Sequence, residues 1–233
     1  MTKIFLFLLY FSSGILNSSY SNAQTYYVKK IPAGSIILNG EGNAETWNRA
    51  NILTNFTYPW DSATAPAISF AASWDGQWLF CLYKAKCDSI ITYINTNAKH
   101  EVGASERVEI FLKAYDNMSP YYCLELDASA RILDYSAAYY RIMHYDWQWP
   151  KEQLIVKSSR TQDGYIVETA ISIQSLKELG LLKNNQLQAG LFRAECKGFK
   201  NSKADLRWIS WVNPHSIKPD FHIPSAFGIL ILE

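Results

Sequence analysis

Seven residues, Arg107-Val108-Glu109-Ile110-Phe111-Leu112-Lys113, place an aliphatic side chain at every second position. Because neighbouring side chains of a strand point to opposite faces, this alternation predicts a half-buried β-strand with its aliphatic residues on a core. The run Tyr121-Tyr122-Cys123-Leu124-Glu125-Leu126-Asp127 repeats the pattern. If the two strands pair as a hairpin, Glu109 and Glu125 share the face opposite the core. A sheet that turns acids and aromatic rings outward indicates a surface for a polar ligand.

Most of the remaining chain also consists of short apolar runs between turn residues. Asp75-Gly76 separates the runs 68–74 and 78–85, which predicts a hairpin. A helix is predicted from Ser172, which can cap it, to Gly180, which can end it. Six further strands are predicted at 131–138, 154–158, 165–170, 187–195, 206–212 and 227–232. Many strands, one short helix and no β-α-β rhythm predict an all-β fold, an antiparallel β-sandwich of the jelly-roll type.

Residues 1–23 have the pattern of a secretory signal peptide. Lys3 precedes an apolar run at 4–11, and small polar residues lead to Ala23. The run is short for a membrane span, although a membrane anchor is the alternative reading. The remaining residues, 24–233, suit one domain with its own core. We expect a secreted or periplasmic protein with no membrane span once the signal is removed.

Charge and composition narrow the class of partner. Lys and Arg total 22 and Asp and Glu total 21, giving a net charge of +1 that is spread along the chain. This balance argues against nucleic acid or an anionic membrane as a partner. Aromatic residues make up 15%, with 8 Trp and 15 Tyr, and such rings serve both as core and as flat platforms for ligands.

Four cysteines leave the disulfide question open. They are Cys81, Cys87, Cys123 and Cys196. An extended chain holds Cys81 and Cys87 too far apart for a bond unless it turns between them, so Cys81 with Cys123 is the better candidate pair. Their spacing lacks Cys-x-x-Cys or histidine clusters, which argues against a zinc site.

Five segments occur in one order along the predicted domain: Leu38-Asn39-Gly40 followed by Trp47, then 73–80, 106–112, 164–171 and 221–230. Together they resemble the family 9 carbohydrate-binding modules and the secreted sugar-binding proteins similar to them. The resemblance implies a β-sandwich that holds a mono- or oligosaccharide without chemistry of its own, in support of polysaccharide breakdown by a glycan-degrading enzyme partner. We expect no cofactor, and structural calcium stays an open question: some members of the family carry it, but this chain has no dense aspartate loop of calcium-ligand spacing.

The resemblance also assigns site residues. In the family, two aromatic side chains sandwich a sugar ring while charged and amide groups bind its hydroxyls. Phe221 falls where one of those aromatics belongs, and His222 lies in the same loop. The other aromatic would precede the strand of Glu109, where this chain has Gly103-Ala104-Ser105, so that platform is missing. Glu109 matches a hydroxyl-binding position.

Further candidates come from the residues themselves. Arg193 lies in an otherwise apolar predicted strand and could join Glu109 and Glu125 in a polar cluster, or form a structural ion pair. Trp147 and Trp149, in the irregular stretch 139–151, could replace the missing platform, or Tyr139 and Tyr140 could do so. The alternative is that these aromatic residues cap the sandwich.

Two tryptophans near the end of the chain complete the candidate set. Trp208 and Trp211 are three residues apart, so they point to opposite faces of a strand, one into the core and one toward the ligand. We include Trp211 among the candidate ligand contacts.

Two other functions remain open. Glu109 and Glu125 could be the acid and base of a glycoside hydrolase, which needs two carboxyl groups roughly 5 to 10 Å apart and one raised pKa. An adjacent Arg193 would lower both pKa values and make a poor acid catalyst. The third function is a scaffold that has kept the sandwich and lost its ligand. A concave outer face with exposed aromatics would favour binding over a scaffold.

Overall fold

The computed structural model describes residues 23–233. The predicted signal peptide therefore lies outside the described residues, apart from Ala23. Within 23–233, no helix is long and apolar enough to cross a membrane. The helix α1 spans Ile173–Glu178. The strands are β1 Thr25–Lys30, β2 Ile52–Leu53, β3 Ile68–Trp74, β4 Trp78–Lys86, β5 Arg107–Lys113, β6 Tyr121–Asp127, β7 Ile132–Ala138, β8 Ile142–His144, β9 Leu154–Thr161, β10 Gly164–Ser172, β11 Gln186–Lys200, β12 Lys203–Ser210 and β13 Gly228–Leu232.

The strands form two facing sheets that share β1. The first sheet has the order β8-β7-β6-β5-β11-β13-β1, with β12 paired to the distal part of β11, and the second has the order β1-β3-β4-β10-β9, with β2 beside β3. Strand β1 runs parallel to β13 over its first residues and parallel to β3 over Lys29 and Lys30. All other strand pairs are antiparallel. The predicted all-β sandwich is confirmed, with this one parallel strand added.

Apolar side chains form three layers. The main core lies between the sheets and joins Val108 and Ile110 of the first sheet to Phe70 and Val167 of the second. A second cluster covers the outer face of the first sheet, and a third covers the outer face of the second sheet. The aliphatic positions of β5 and β6 face the main core, as their alternation predicts. The outer layers explain why so many aromatic residues are buried.

Several local predictions are confirmed. Strands β3 and β4 pair as the predicted hairpin. The hydroxyl of Ser172 accepts hydrogen bonds from the backbone N–H groups of Gln174 and Ser175 at 3.1 and 3.4 Å, which caps α1. Gly180 follows the helix with φ +69°, the left-handed conformation that ends many helices.

The open question of the disulfides is answered against the candidate pair Cys81 and Cys123, which form no bond. All four cysteines are free. Cys81 faces the main core between the sheets, whereas Cys123 faces the outer layer of the first sheet. The first sheet therefore lies between the two thiols. The spacing of the cysteines in the sequence does not indicate which face of a sheet each one occupies.

A buried carboxylate fixes the segment that leads into the second sheet. Glu168, fully buried on β10, accepts hydrogen bonds from the Trp47 indole N–H at 3.0 Å and from the backbone N–H of Gly40 at 2.6 Å. Gly40 has φ +88°, and a Cβ there would lie 2.7 Å from the Ser158 carbonyl oxygen. These contacts give a structural role to the first of the five family-like segments.

Candidate functional site

The outer face of the first sheet carries a cluster of three charged residues. Glu109 on β5 lies directly opposite Glu125 on β6. Arg107 reaches both, with Nη2 2.8 Å from Glu109 Oε1 and Nε 2.6 Å from Glu125 Oε2. These contacts are ion pairs without hydrogen-bond geometry. Each of the three residues is at most 6% exposed, so the cluster forms the floor of the site.

Arg107 is held by the segment in which the family's second aromatic is missing. Its Nη1 donates hydrogen bonds to the carbonyl oxygens of Gly103 at 2.8 Å and Ser105 at 3.3 Å. In this chain the backbone at 103–105 therefore positions a guanidinium instead of presenting a ring. Arg107 is not among the site residues predicted from the sequence. It lies two residues before Glu109 on β5, so the alternation of the strand places both side chains on the same face and could have identified it.

The prediction that Arg193 joins Glu109 and Glu125 is wrong. Arg193 pairs in register with Val108, so its side chain points to the inner face of the sheet. There its Nε lies 2.7 Å from Glu106 Oε1, and both residues are fully buried. Glu106 also accepts from the Tyr165 hydroxyl at 3.1 Å. Arg193 thus forms the structural ion pair that was the alternative reading.

Aromatic rings form the walls above the floor. Phe221 stacks on Phe192 with ring centroids 3.9 Å apart and an 11° interplanar angle, and it is only 5% exposed. Trp60 and Trp208 contact Phe221 at 5.3 and 5.6 Å between centroids, and both remain partly exposed. Phe221 is therefore a buried wall, and Trp60 and Trp208 offer the accessible ring surface. Gly190 leaves the room for Phe192, since a Cβ there would lie 2.4 Å from that ring.

The mouth of the site is polar. Asp220 accepts hydrogen bonds from Arg141 Nη2 at 3.0 Å and from the backbone N–H of His222 at 2.9 Å, and the Tyr140 hydroxyl also donates to it. Trp60 Nε1 donates to the Ser216 carbonyl at 2.8 Å, which ties an amino-terminal loop to the loop of Phe221.

Together these groups enclose one pocket. Its cavity volume is about 80 Å³, which is smaller than that of a typical small-molecule site, and the pocket opens to solvent at its mouth. Its lining consists of Trp60, Arg107, Glu109, Phe111, Glu125, Arg141, Trp208, Pro219, Asp220, Phe221 and His222. The pocket therefore brings together four of the eight predicted site residues.

Burial controls the charges in the pocket. It raises the pKa of Glu109, and the neighbouring Glu125 carboxylate adds to this although Arg107 opposes it. The adjacent arginine is Arg107 and not the expected Arg193; it lowers the pKa of Glu109, as an arginine in that place should, but burial outweighs it. Burial, with a contribution from Arg141, lowers the pKa of His222 to about 4, so this ring is neutral at pH 7. Its Nδ1 lies 3.0 Å from the Tyr121 hydroxyl.

Three predicted ligand contacts lie away from the pocket, in or against the main core. Trp149 is 6% exposed and donates its indole N–H to Ser175 Oγ at 3.1 Å. Trp147 packs against Trp149, and Trp211 is 3% exposed in the same core. Trp147 and Trp149 thus cap the sandwich.

The other member of the tryptophan pair reaches the pocket. Trp208 pairs with Ala194, which pairs with Arg107, so it stands on the outer face. As predicted, the two tryptophans lie on opposite faces, but Trp211 is the one in the core and Trp208 the one on the outer face, so the choice of Trp211 as a ligand contact is wrong. Trp60 was missed because its loop joins the pocket only through long-range packing. No three His, Cys, Asp or Glu side chains within 23–233 are grouped to hold a metal ion.

Comparison with known proteins gives one family match and several similar folds. Residues 37–233 match the model of the carbohydrate family 9 binding domain-like family. A candidate carbohydrate-binding protein from Bacteroides uniformis is 18% identical with a TM-score of 0.72, over 91% of this chain and 100% of that one. A family 9 carbohydrate-binding module from Caldicellulosiruptor kristjanssonii is 19% identical. Its complex with cellotriose gives a TM-score of 0.56 over 90% of this chain and 94% of that one. Its complex with glucose gives a TM-score of 0.54 over 90% of this chain and 96% of that one. No protein with a curated description matches the chain.

Proposed function

Because the chain belongs to the carbohydrate family 9 binding domain-like family, we propose that it is a non-catalytic sugar-binding protein and that the pocket on its first sheet is the binding site. The proposal rests on one observation, which is that aromatic and charged side chains lie side by side. Partly exposed indole rings and a fixed set of charged groups line the same small pocket on the outer face. Sugars need both, since their C–H faces pack on flat apolar surface and their hydroxyls need polar partners.

Different residues of the pocket would contact different parts of the sugar. Trp60 and Trp208 would pack against a face of the sugar ring. At the floor, the Glu109 carboxyl group, whose raised pKa favours the protonated acid, would form a hydrogen bond with a hydroxyl of the sugar. At the mouth, the Asp220 carboxylate would accept hydrogen bonds from the hydroxyls of the sugar and Arg141 would donate to its oxygens. Because ion pairs and backbone contacts already hold these groups, little side-chain entropy remains to be lost when a ligand binds.

A hydrolase is not proposed. Proteins of this family bind carbohydrate without cleaving it. The floor also suits such chemistry poorly, because Arg107 bridges Glu109 and Glu125 and all three side chains are almost fully buried. A raised pKa at Glu109 is one property of an acid catalyst, but no free carboxylate base stands beside it. A scaffold without a ligand is disfavoured by the concave pocket and its exposed rings.

The ligand class that we propose is a mono- or oligosaccharide. The volume of the pocket suits one sugar unit better than several. We further propose that the protein is secreted or periplasmic and that it supports polysaccharide breakdown beside a glycan-degrading enzyme. The predicted signal sequence and the family support this role.

Isothermal titration against a panel of mono- and oligosaccharides, beginning with glucose and cellotriose, tests the proposal. We expect saturable heat with at least one sugar and its loss in Trp208→Ala. Trp74→Ala is the matched control, because Trp74 is a half-buried tryptophan at the end of β3 in the second sheet. A folded sample that gives no heat with any sugar would falsify the assignment.

A further inference from the structure

Three half-exposed tyrosines stand beside the pocket. Tyr139 is 49% exposed, Tyr140 is 52% exposed and Tyr145 is 53% exposed. Single exposed aromatics are ordinary, whereas three occur here within one short hairpin and the turn after it. We call these three residues the tyrosine ledge. They lie at the start of the irregular, aromatic-rich stretch 139–151.

One side of the ledge continues the mouth of the pocket. The Tyr140 hydroxyl donates to Asp220, which also pairs with Arg141 at 3.0 Å. The Arg141 guanidinium lies 5.7 Å from the centre of the Tyr140 ring. Because Asp220 and Arg141 both line the pocket, Tyr140 adjoins the mouth of the pocket.

The other side of the ledge reaches the floor through a single residue. The Tyr145 ring packs on Tyr135 with centroids 4.9 Å apart, and the Tyr135 hydroxyl donates to Glu125 Oε1 at 2.9 Å. Burial raises the pKa of Tyr145, and the Glu125 charge acts in the same direction. Tyr145 therefore lies within electrostatic reach of the floor.

We propose that the tyrosine ledge is an outer subsite, which holds the second and third units of an oligosaccharide whose terminal unit fills the pocket. The proposal rests on the proposed function of the pocket. Phenol rings suit the C–H faces of sugars, and their hydroxyls can bond to the ring substituents. Tyr139 and Tyr140 meet at 64°, so the ledge is not planar and fits a free, twisting chain better than the flat face of a crystalline polymer.

The test compares sugars of different length on ledge variants. Three monosaccharide and trisaccharide pairs serve as probes in isothermal titration: glucose with cellotriose, xylose with xylotriose, and mannose with mannotriose. The variants are Tyr139→Ala/Tyr145→Ala and the conservative Tyr139→Phe/Tyr145→Phe. Tyr140 is left unchanged because it bonds to Asp220 in the pocket. Tyr27→Ala, an equally exposed tyrosine on β1, is the control.

We expect the wild type to bind a trisaccharide about tenfold more tightly than its monosaccharide. The double alanine variant should lose about fivefold or more of the trisaccharide affinity, on the scale of aromatic contacts, and keep its monosaccharide affinity. The double phenylalanine variant keeps the rings and loses only the hydroxyls, so it should retain most of the trisaccharide affinity. Tyr27→Ala should bind like the wild type. Tyr139→Ala alone should show part of the loss if the double variant folds poorly.

Three outcomes would overturn the proposed outer subsite. In the first, the wild type binds the trisaccharide no more tightly than the monosaccharide. In the second, the double alanine variant loses the same factor of affinity for both sugars, and in the third it loses affinity for neither. These outcomes leave the pocket assignment standing whenever the monosaccharide still binds. If no sugar of any length binds the folded wild type, the pocket assignment fails together with the ledge.

Discussion

The buried charge cluster of Arg107, Glu109 and Glu125 at the floor of the pocket leads to a specific prediction about stability. Arg107→Met keeps most of the side-chain volume and removes the charge that lies between Glu109 and Glu125. The Glu125 carboxylate then loses its cation, and Glu109 lies directly opposite it, with at most 6% exposure for each residue. Removing one partner of a buried ion pair costs about 3 to 5 kcal/mol, because it leaves uncompensated charge in a poorly solvated place.

For a chain of this length, that loss in unfolding free energy corresponds to a fall in melting temperature of roughly 6 to 20 °C. Urea and thermal denaturation at pH 7 would measure it. Two controls accompany the variant. Lys86→Met removes an exposed ion pair with Asp163 and should cost at most about 1 kcal/mol. Arg107→Met with Glu109→Gln and Glu125→Gln removes all three charges and should recover most of the loss.

The same cluster has a predictable pH dependence. The folded-state pKa of Glu109 is raised above its unfolded value, so the folded state binds the extra proton. This contribution to stability is full below the unfolded pKa near 4.5 and is lost as the pH rises through the raised folded value. Glu109→Gln should therefore gain stability relative to the wild type as the pH rises. If Arg107→Met is as stable as Lys86→Met, and Glu109→Gln shows no such trend, the cluster does not carry the energy assigned to it.

Three further predictions test other parts of the molecule by chemical denaturation. Arg193→Leu should destabilise the protein by about 3 to 5 kcal/mol, since it leaves Glu106 buried without its cation; a change under about 1 kcal/mol would contradict this. Gly40→Ala should cost about 1 to 3 kcal/mol or more, because φ is +88° and the new Cβ meets the Ser158 backbone; a neutral effect would show that the loop relaxes freely. His222 has a folded pKa of about 4, below its unfolded value of 6.5, so stability should fall by at most about 3 kcal/mol as the pH drops from 6.5 to 4. His222→Gln should flatten that part of the profile, and an unchanged slope would assign it to other groups.

Local alternation was sufficient to predict the hairpin of β5 and β6. The period of a strand fixes which side chains share a face, so Glu109 and Glu125 could be placed together from the sequence alone. The cap at Ser172 was predictable for a similar reason, because its partners lie two and three residues away. In both cases the residues that decide the geometry are close in sequence.

Arg193 could not be placed in the same way. Its face depends on the register between β11 and β5, strands about eighty residues apart, and a shift of one residue would have turned it outward. The same limit applies to Trp60, whose loop meets the loop of Phe221 through a hydrogen bond between residues 156 positions apart. Packing between distant segments sets such contacts, and no local pattern encodes them.

Phe221 shows how a family position can keep its place and change its role. The resemblance put an aromatic at this point in the closing loop, and an aromatic lines the pocket there. Gly190, however, frees the space in which Phe192 lies flat beneath Phe221, and the stacked pair is withdrawn from solvent. The backbone at 103–105 meanwhile holds Arg107, so neither half of the family's aromatic sandwich is available. Ring surface for a sugar must then come from Trp60 and Trp208, which is why Trp208→Ala is the variant that tests the site and Phe221→Ala would mainly test the packing of the sheet.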